Sequence, residues 1–247
     1  MRILSGILLI MMTLSASSQT DSNIADKKNM RELLQLIDTK EPGMNIVRQW
    51  YKGATNEVEI LPCDLKRAEQ ALYETQVTTR SPMGAIIYET GGILINGGWI
   101  RILGSGHPRF DRSLPGWNKG KYGYETGKQS SVLLVADDIL GGFFAINGGG
   151  LSPENIGKVF YFAPDTQVWE PTELGYSDFI VWCFQGDLNL FYQGFYWKGY
   201  ENELKTISGT DAVSFYPFLW TEEGTDINNC TRKIVPVQEI WDMSVGK

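Results

Sequence analysis

The sequence predicts an α+β fold in which N-terminal helices pack on one face of a mostly antiparallel β-sheet. Before Pro82, apolar side chains recur at the spacing of amphipathic helices. After Pro82, short β-branched and aromatic runs alternate with glycine pairs, the pattern of strands joined by tight turns. With 247 residues, of which 43% are hydrophobic and 12% aromatic, the chain can bury one large core.

Three helices are predicted before the strand pattern begins, over residues 29–39, 44–51 and 62–75. Asn29 is placed to cap the first helix, and Glu32 follows three residues later. Asp64 is placed to cap the third helix, whose leucine and alanine side chains share one face. A short alternating segment, residues 57–61, separates the second helix from the third.

Six strands are predicted, over residues 84–88, 93–96, 99–103, 132–135, 143–146 and 158–163. The glycine pairs at 91–92 and 97–98 supply the positive φ angles that tight turns need. Asp137 and Asp138 precede a third glycine pair and are interpreted as turn formers. Together these strands predict a meander within a single sheet.

Two elements are predicted beyond the last of these strands. Residues 177–191 have the apolar spacing of an amphipathic helix with Ser177 or Asp178 near its start. Residues 234–241 are interpreted as an edge strand, because Pro236 cannot donate a ladder hydrogen bond.

The N-terminus has the parts of a signal peptide. Arg2 precedes an apolar run over residues 3–12, which is too short to span a bilayer and is followed by Ala16 and Ser18. We therefore predict a signal peptide over residues 1–18 with cleavage near Ser18, a flexible leader over 19–28 and a single domain over 29–247. The prediction implies an exported protein, periplasmic or secreted; the alternative is a short N-terminal membrane anchor.

Charge and cysteine content limit the classes of partner. The formal net charge is −7, and an acidic surface repels phosphate backbones, so no nucleic-acid partner is predicted. Such a surface suits solubility or binding to a basic protein. Three cysteines allow one disulfide at most, and whether Cys63 pairs with Cys230 stays open. With one histidine and no C-x-x-C pair, no metal site and no cofactor is predicted.

The candidate functional segment is the connection over residues 104–128, which holds the only histidine and is long for a compact domain. The candidate partner-binding residues are His107, Arg109, Asp111, Arg112, Trp117, Tyr122 and Tyr124. His107 could act as a general base with Ser105 or Ser113 as nucleophile, but a histidine that bonds to the loop backbone and fixes its shape is favoured. No catalytic residue is predicted.

Two further patterns are explained without a functional site. Adjacent residues of a strand point to opposite faces, so Asp137 and Asp138 are poorly placed to share a proton or a metal ion. The run 147–150, Asn-Gly-Gly-Gly, could cradle a phosphate, but no long helix with a P-loop lysine follows it, which favours a turn.

Several motifs in one order resemble a known family. They are GSGHPR, SLPGWN, VADDILGGFFAINGG, VFYFAPDTQVWEP, GYSDFIVW and GDLNLFYQGFYW. They resemble the uncharacterised bacterial domain of unknown function family 2625, from about Met30 to the C-terminus. More distantly, the plan is similar to the SUKH superfamily, an α+β fold whose bacterial members are largely immunity proteins against polymorphic toxins. An exported chain departs from that pattern, since most such immunity proteins act in the cytosol.

Two functional hypotheses follow. The first is an exported, non-enzymatic, SUKH-like domain that binds another protein, in the manner of an immunity or inhibitor protein against a basic, toxin-like partner. The second is a cell-envelope hydrolase or carbohydrate-binding protein whose site lies in the loop 104–128.

Overall fold

The computed structural model describes residues 30–246. The predicted signal peptide, the leader and the cap at Asn29 lie outside the described residues. Within residues 30–246, every helix is too short or too polar to cross a membrane.

Within the described residues, four helices come before the second strand: α1 (Leu33–Leu36), α2 (Met44–Lys52), α3 (Leu65–Thr75) and α4 (Pro82–Glu89). The predicted cap of α3 is confirmed, because the Asp64 carboxylate accepts a hydrogen bond from the Arg67 amide at 2.9 Å. The first helix is shorter than predicted: it begins after Glu32, which forms a capping box with Gln35.

The predicted strand 84–88 is wrong, since these residues belong to α4. The Ser81 hydroxyl accepts a hydrogen bond from the Gly84 amide, and Pro82 occupies the first helical position. This start signal prevails over the β-branched side chains that follow it. The glycine pair 91–92 therefore lies inside a strand. Gly92 has φ +139°, and a Cβ there would lie 2.5 Å from the Phe110 ring, so glycine allows Phe110 to pack against the sheet.

The main sheet has seven strands: β1 (Val58–Pro62), β2 (Thr90–Ile95), β3 (Ile100–Leu103), β4 (Val132–Asp138), β5 (Phe143–Asn147), β6 (Lys158–Phe162) and β7 (Trp169–Gly175). They lie side by side in chain order, and each pairs antiparallel with the next. The predicted antiparallel meander is confirmed. The sequence interpretation missed β7, which has Pro171 and alternates weakly in burial because it is an edge strand.

The other elements are α5 (Leu114–Asn118), α6 (Tyr176–Gln185), α7 (Leu188–Phe191), α8 (Tyr200–Leu204), β8 (Asp211–Tyr216), β9 (Thr231–Pro236) and α9 (Val237–Ser244). The predicted helix 177–191 is interrupted at Gly186, which has extended backbone angles. The predicted edge strand 234–241 ends at Pro236, and the chain continues as α9. β8 and β9 pair antiparallel in a separate two-stranded sheet.

Both faces of the main sheet are covered, which accounts for the complete burial of β2 and β3. On one face, Phe144 packs against Phe179 of α6 at 4.9 Å between ring centroids, and α6 contacts α2 and α4. On the other face, Phe143 packs edge-to-face on Trp241 of α9 at 5.0 Å. The predicted α+β class is thus confirmed, with a C-terminal layer that the sequence interpretation did not anticipate.

Candidate functional site

The loop 104–128 contains the predicted histidine site, and its polar groups are engaged in the loop's own structure. The His107 imidazole Nδ1 accepts a hydrogen bond from the Arg109 amide at 3.1 Å. The Ser105 hydroxyl is buried and donates to the Thr90 carbonyl at 2.8 Å. The Ser113 hydroxyl caps α5 by accepting from the Gly116 amide at 3.1 Å. This geometry gives His107 and both serines loop-shaping bonds and does not pair them with one another.

Arg109 and Asp111 lie at the surface, and each forms an ion pair with a neighbouring element. Arg109 binds Glu59 of β1 in a bidentate manner, at 2.5 Å and 3.0 Å between the nitrogen and oxygen atoms. Asp111 lies 2.6 Å from Arg67 of α3. The hydrogen bond from Arg109 lowers the pKa of the Glu59 carboxyl. We call the four residues Glu59, Arg67, Arg109 and Asp111 the ion-pair surface.

Arg112 and Trp117 lie in the interior, with only 8% and 6% of their surface exposed. The Arg112 guanidinium lies over the Trp117 ring at 4.6 Å, a cation–π contact. These two candidate residues therefore have almost no surface to offer a partner. Burial lowers the pKa of Arg112.

The two candidate tyrosines lie near the far end of the loop. The Tyr122 hydroxyl accepts a hydrogen bond from the Trp169 indole N–H at 3.0 Å. Its ring packs edge-on against Trp241 at 6.0 Å. Tyr124 is half-buried, and burial raises its pKa to about 12. The seven candidate residues thus do not form one cluster: His107, Arg109 and Asp111 lie at the surface near β1, Arg112 and Trp117 are internal, and the tyrosines lie elsewhere.

Asp137 anchors a buried cluster on one face of the sheet. Its carboxylate accepts from Arg101 Nε at 2.6 Å and from Arg112 Nη1 at 2.5 Å. The two arginines also donate to the carbonyl groups of Asp211 and Gly209. The interpretation of Asp137 as a turn former is wrong, because the residue lies within β4 and its side chain is occupied by the two guanidinium groups.

Asp138 lies on the opposite face and is also fully buried. It accepts hydrogen bonds from the Tyr161 hydroxyl at 2.7 Å and the Tyr192 hydroxyl at 3.0 Å. It also accepts from the Leu140 and Gly142 amides at 2.9 Å and 2.8 Å, so its predicted turn role is present. Burial raises the pKa of Asp138, and the hydrogen bonds oppose that effect.

Two cavities lie beside the ion-pair surface. The first, the charged cavity, has a volume of about 450 Å³, and its charged lining residues are Glu57, Glu59, Arg101, Arg109 and Lys205. The second, the aromatic cavity, has a volume of about 320 Å³. Its lining includes Glu57, Asn96, Trp99, Asn189, Tyr196, Tyr200, Glu201 and Lys205. Glu57 and Lys205 line both cavities, so the two adjoin.

The sequence interpretation missed both cavities. Trp99 lies next to a strand, and Tyr196 and Tyr200 lie in a cluster of aromatic residues. Both patterns are typical of a hydrophobic core, and Trp99 is indeed buried. Tyr196 and Tyr200 are four residues apart and lie beside polar residues. Core aromatic residues can have the same spacing, so this pattern alone does not indicate a cavity.

The three cysteines are unpaired. Cys183 and Cys230 are buried and Cys63 is half-buried, so the disulfide that the sequence left open does not form between Cys63 and Cys230 in this structure.

Comparison with known proteins identifies relatives but no activity. The chain is 45% identical over 216 residues to an Escherichia coli protein named "Putative uncharacterized protein YbfG", covering 87% of this chain and 95% of the relative. It is 42% identical over 190 residues to an "Uncharacterized protein" of Haemophilus influenzae, covering 77% and 83%. No solved structure matches at a significant level. Because the family described as "Protein of unknown function DUF2625" matches residues 33–240, the chain belongs to that family.

Proposed function

We propose that this protein is a non-enzymatic protein-binding domain whose partner docks on the ion-pair surface and the mouth of the charged cavity. The specific form of the proposal is an immunity or inhibitor protein that binds a basic, toxin-like protein. The observation that carries it is the position of Arg109, which is exposed on the predicted loop, pairs with Glu59 and lines the charged cavity.

Charge supports this choice of partner. Exposed ion pairs contribute little to folding stability, and their charged groups remain able to attract a charged partner. The net charge of −7 favours a basic partner and would speed its association at low salt. The SUKH resemblance is consistent with this role and stays a prediction.

The bonds within the loop support a non-enzymatic role at this surface. A general base needs to reach a nucleophile, yet His107 Nδ1 is occupied by the Arg109 amide and Ser105 is buried against a carbonyl group. The hydrolase alternative in the loop 104–128 therefore has no support from these contacts.

The test is a pull-down with the chain from Gln19 onward, at low and high salt, using an envelope fraction and mass spectrometry. Arg109→Ala should weaken capture of one basic protein, by about tenfold in affinity, which corresponds to about 1.4 kcal/mol. Because Arg109 is positive like the partner, its removal should not slow association, and the loss should appear in the dissociation rate through the lost contacts of the guanidinium. Association of the acidic surface with the basic partner should slow at high salt for the wild type and the variant alike.

The matched control is Arg48→Ala. Arg48 is exposed to the same extent as Arg109, 60% against 59%, and pairs with Glu89 at 2.9 Å on a different element. This variant should retain the partner fully. Equal capture by both variants, or capture that does not depend on salt, would contradict the proposal.

A further inference from the structure

We propose that the aromatic cavity is a binding site for a neutral saccharide, held with one ring against Tyr196 and Tyr200. This site lies outside the loop 104–128. It adjoins the charged cavity at Glu57 and Lys205, but the inference does not rest on the protein-binding function proposed above. The inference rests on three features of the cavity: an aromatic wall supported by the core, polar groups left available to a ligand, and charges of both signs that disfavour an ionic ligand.

The aromatic wall is rigid because a buried tryptophan supports it. Trp99 packs against Tyr196 at 4.6 Å and against Tyr200 at 5.2 Å between ring centroids. The two tyrosines also contact each other at 4.9 Å. Trp99 is 1% exposed, whereas both tyrosines are only half-buried. Their rings therefore present surface to the cavity in an arrangement fixed by the core, which lowers the entropic cost of binding a ligand.

The polar side chains of the cavity differ from those of the ion-pair surface. Within residues 30–246, the carboxylates of Glu57 and Glu201 and the ammonium group of Lys205 form no hydrogen bond or ion pair with another side chain. By contrast, Glu59 is held by Arg109 and Glu203 by Arg232. These unpaired groups are available to a ligand.

The carboxamide of Asn96 is oriented before any ligand arrives. Its oxygen accepts a hydrogen bond from the Glu57 backbone amide at 3.0 Å. Its nitrogen remains a donor with no partner in the described part of the chain. A second carboxamide, Asn189, lines the same cavity and is exposed. Donors and acceptors therefore occur together at one site.

A sugar ring matches this combination. Its C–H face is apolar and packs on an aromatic ring, while its hydroxyl groups both donate and accept hydrogen bonds. Carboxylates would accept from these hydroxyls, and the ammonium and carboxamide groups would donate to them. The volume of about 320 Å³ is at the lower end of the range for small-molecule sites, which suits a mono- or disaccharide.

The charges of the cavity favour a neutral ligand over an ion. Glu57 and Glu201 would repel an anion, and Lys205 would repel a cation. A basic side chain from a protein could contact the carboxylates and the aromatic rings, but the Lys205 ammonium would repel it. We therefore assign the site to a neutral polyol ring and treat cation binding as an outcome that the experiment can detect.

The test is saturation-transfer NMR and calorimetry with four neutral probes: glucose, galactose, N-acetylglucosamine and its β1,4-linked disaccharide. Arginine and citrate serve as cationic and anionic probes. We expect at least one neutral sugar to bind with a millimolar or lower dissociation constant, with transfer strongest at ring C–H protons. Tyr200→Ala should weaken that binding at least tenfold.

Two further variants make the result interpretable. Glu57→Gln removes one acceptor charge at an exposed position and should weaken binding about fivefold without unfolding the chain, so the test does not depend on the stability of Tyr200→Ala. Tyr51→Ala, which removes an exposed tyrosine of α2 outside the cavity, should bind sugar like the wild type.

Several results would overturn the inference: no neutral probe binds, arginine or citrate binds better than every sugar, or binding survives both cavity variants. Failure here is separable from failure of the proposed protein-binding function. Arg109→Ala should leave sugar binding unchanged, and Tyr200→Ala should leave capture of the protein partner unchanged, because each side chain lines only one of the two sites.

Discussion

Two neighbouring aspartates, Asp137 and Asp138, occupy opposite faces of β4 and have different environments. Both are fully buried. Asp137 lies between two guanidinium groups, whereas Asp138 is surrounded by two tyrosine hydroxyls and two backbone amides. The same side chain is thus part of an ion cluster on one face and, on the other, of a hydrogen-bond network whose donors are uncharged. The difference shows that the partners available on each face, and not the residue type, set the role of a buried carboxylate.

The two faces also connect different parts of the chain. The arginines bound to Asp137 donate to the carbonyls of Gly209 and Asp211, so this cluster ties the start of β8 to the main sheet. The tyrosines bound to Asp138 come from β6 and from the segment after α7, so that network joins the sheet to the helical layer. Each cluster therefore fixes one of the two layers that cover the sheet.

The largest expected effect on stability comes from breaking the ion cluster around Asp137. Asp137→Asn removes the charge that compensates two buried arginines, and a buried ion cluster that loses one partner is destabilised by about 3–5 kcal/mol. Urea unfolding would measure this loss. Hydrogen exchange would locate it: the Val213 amide, which donates to the Ile139 carbonyl at 2.8 Å, should exchange faster, while the Gly142 amide beside Asp138 should change less. A uniform change at both amides would argue against separate clusters.

A smaller, pH-dependent effect is expected on the Asp138 side. Asp138→Asn keeps the shape and can bond to both amides and to rotated tyrosine hydroxyls, so the loss should be about 1 kcal/mol. Because burial raises the folded-state pKa of Asp138 above 3.8, its favourable contribution is complete below that value and is lost as pH rises through the folded pKa. The stability advantage of the wild type over Asp138→Asn should therefore shrink as pH rises above 3.8 and through the folded-state pKa.

Urea unfolding of the wild type and Asp138→Asn at a series of pH values would test whether the stability advantage of the wild type shrinks or widens as pH rises. All other titrating groups are shared, so the difference between the two curves isolates Asp138. An advantage that widens as pH rises would mean that the four hydrogen bonds outweigh burial and that the carboxylate is more acidic in the folded state.

The contrast at β4 also marks how far the sequence could predict this protein. Strand alternation correctly placed Asp137 and Asp138 on opposite faces. Asp137 pairs with Arg101 and Arg112, which are 36 and 25 residues away in the chain. No local sequence pattern predicts a pairing over such distances. Helix caps such as Asp64 were predictable because cap and helix are adjacent in sequence. The aromatic cavity was not, since its wall is assembled from two distant segments around Trp99.

The smallest effect should come from the exposed counterpart of the Asp137 cluster, the pair between Glu59 and Arg109. It has similar distances but is open to solvent, with about half of each side chain exposed: 46% for Glu59 and 59% for Arg109. Water already solvates both groups, so Glu59→Gln should cost less than about 1 kcal/mol of unfolding free energy at neutral pH. The Glu59 pKa is lowered by its bond to Arg109, so even this small contribution is present above the unfolded pKa and is lost as pH falls through the folded value. Added salt should reduce it further, while the Asp137→Asn loss should change little, because screening acts on exposed charges far more than on buried ones. A Glu59→Gln loss as large as that of Asp137→Asn would mean that burial is not what separates the two sites.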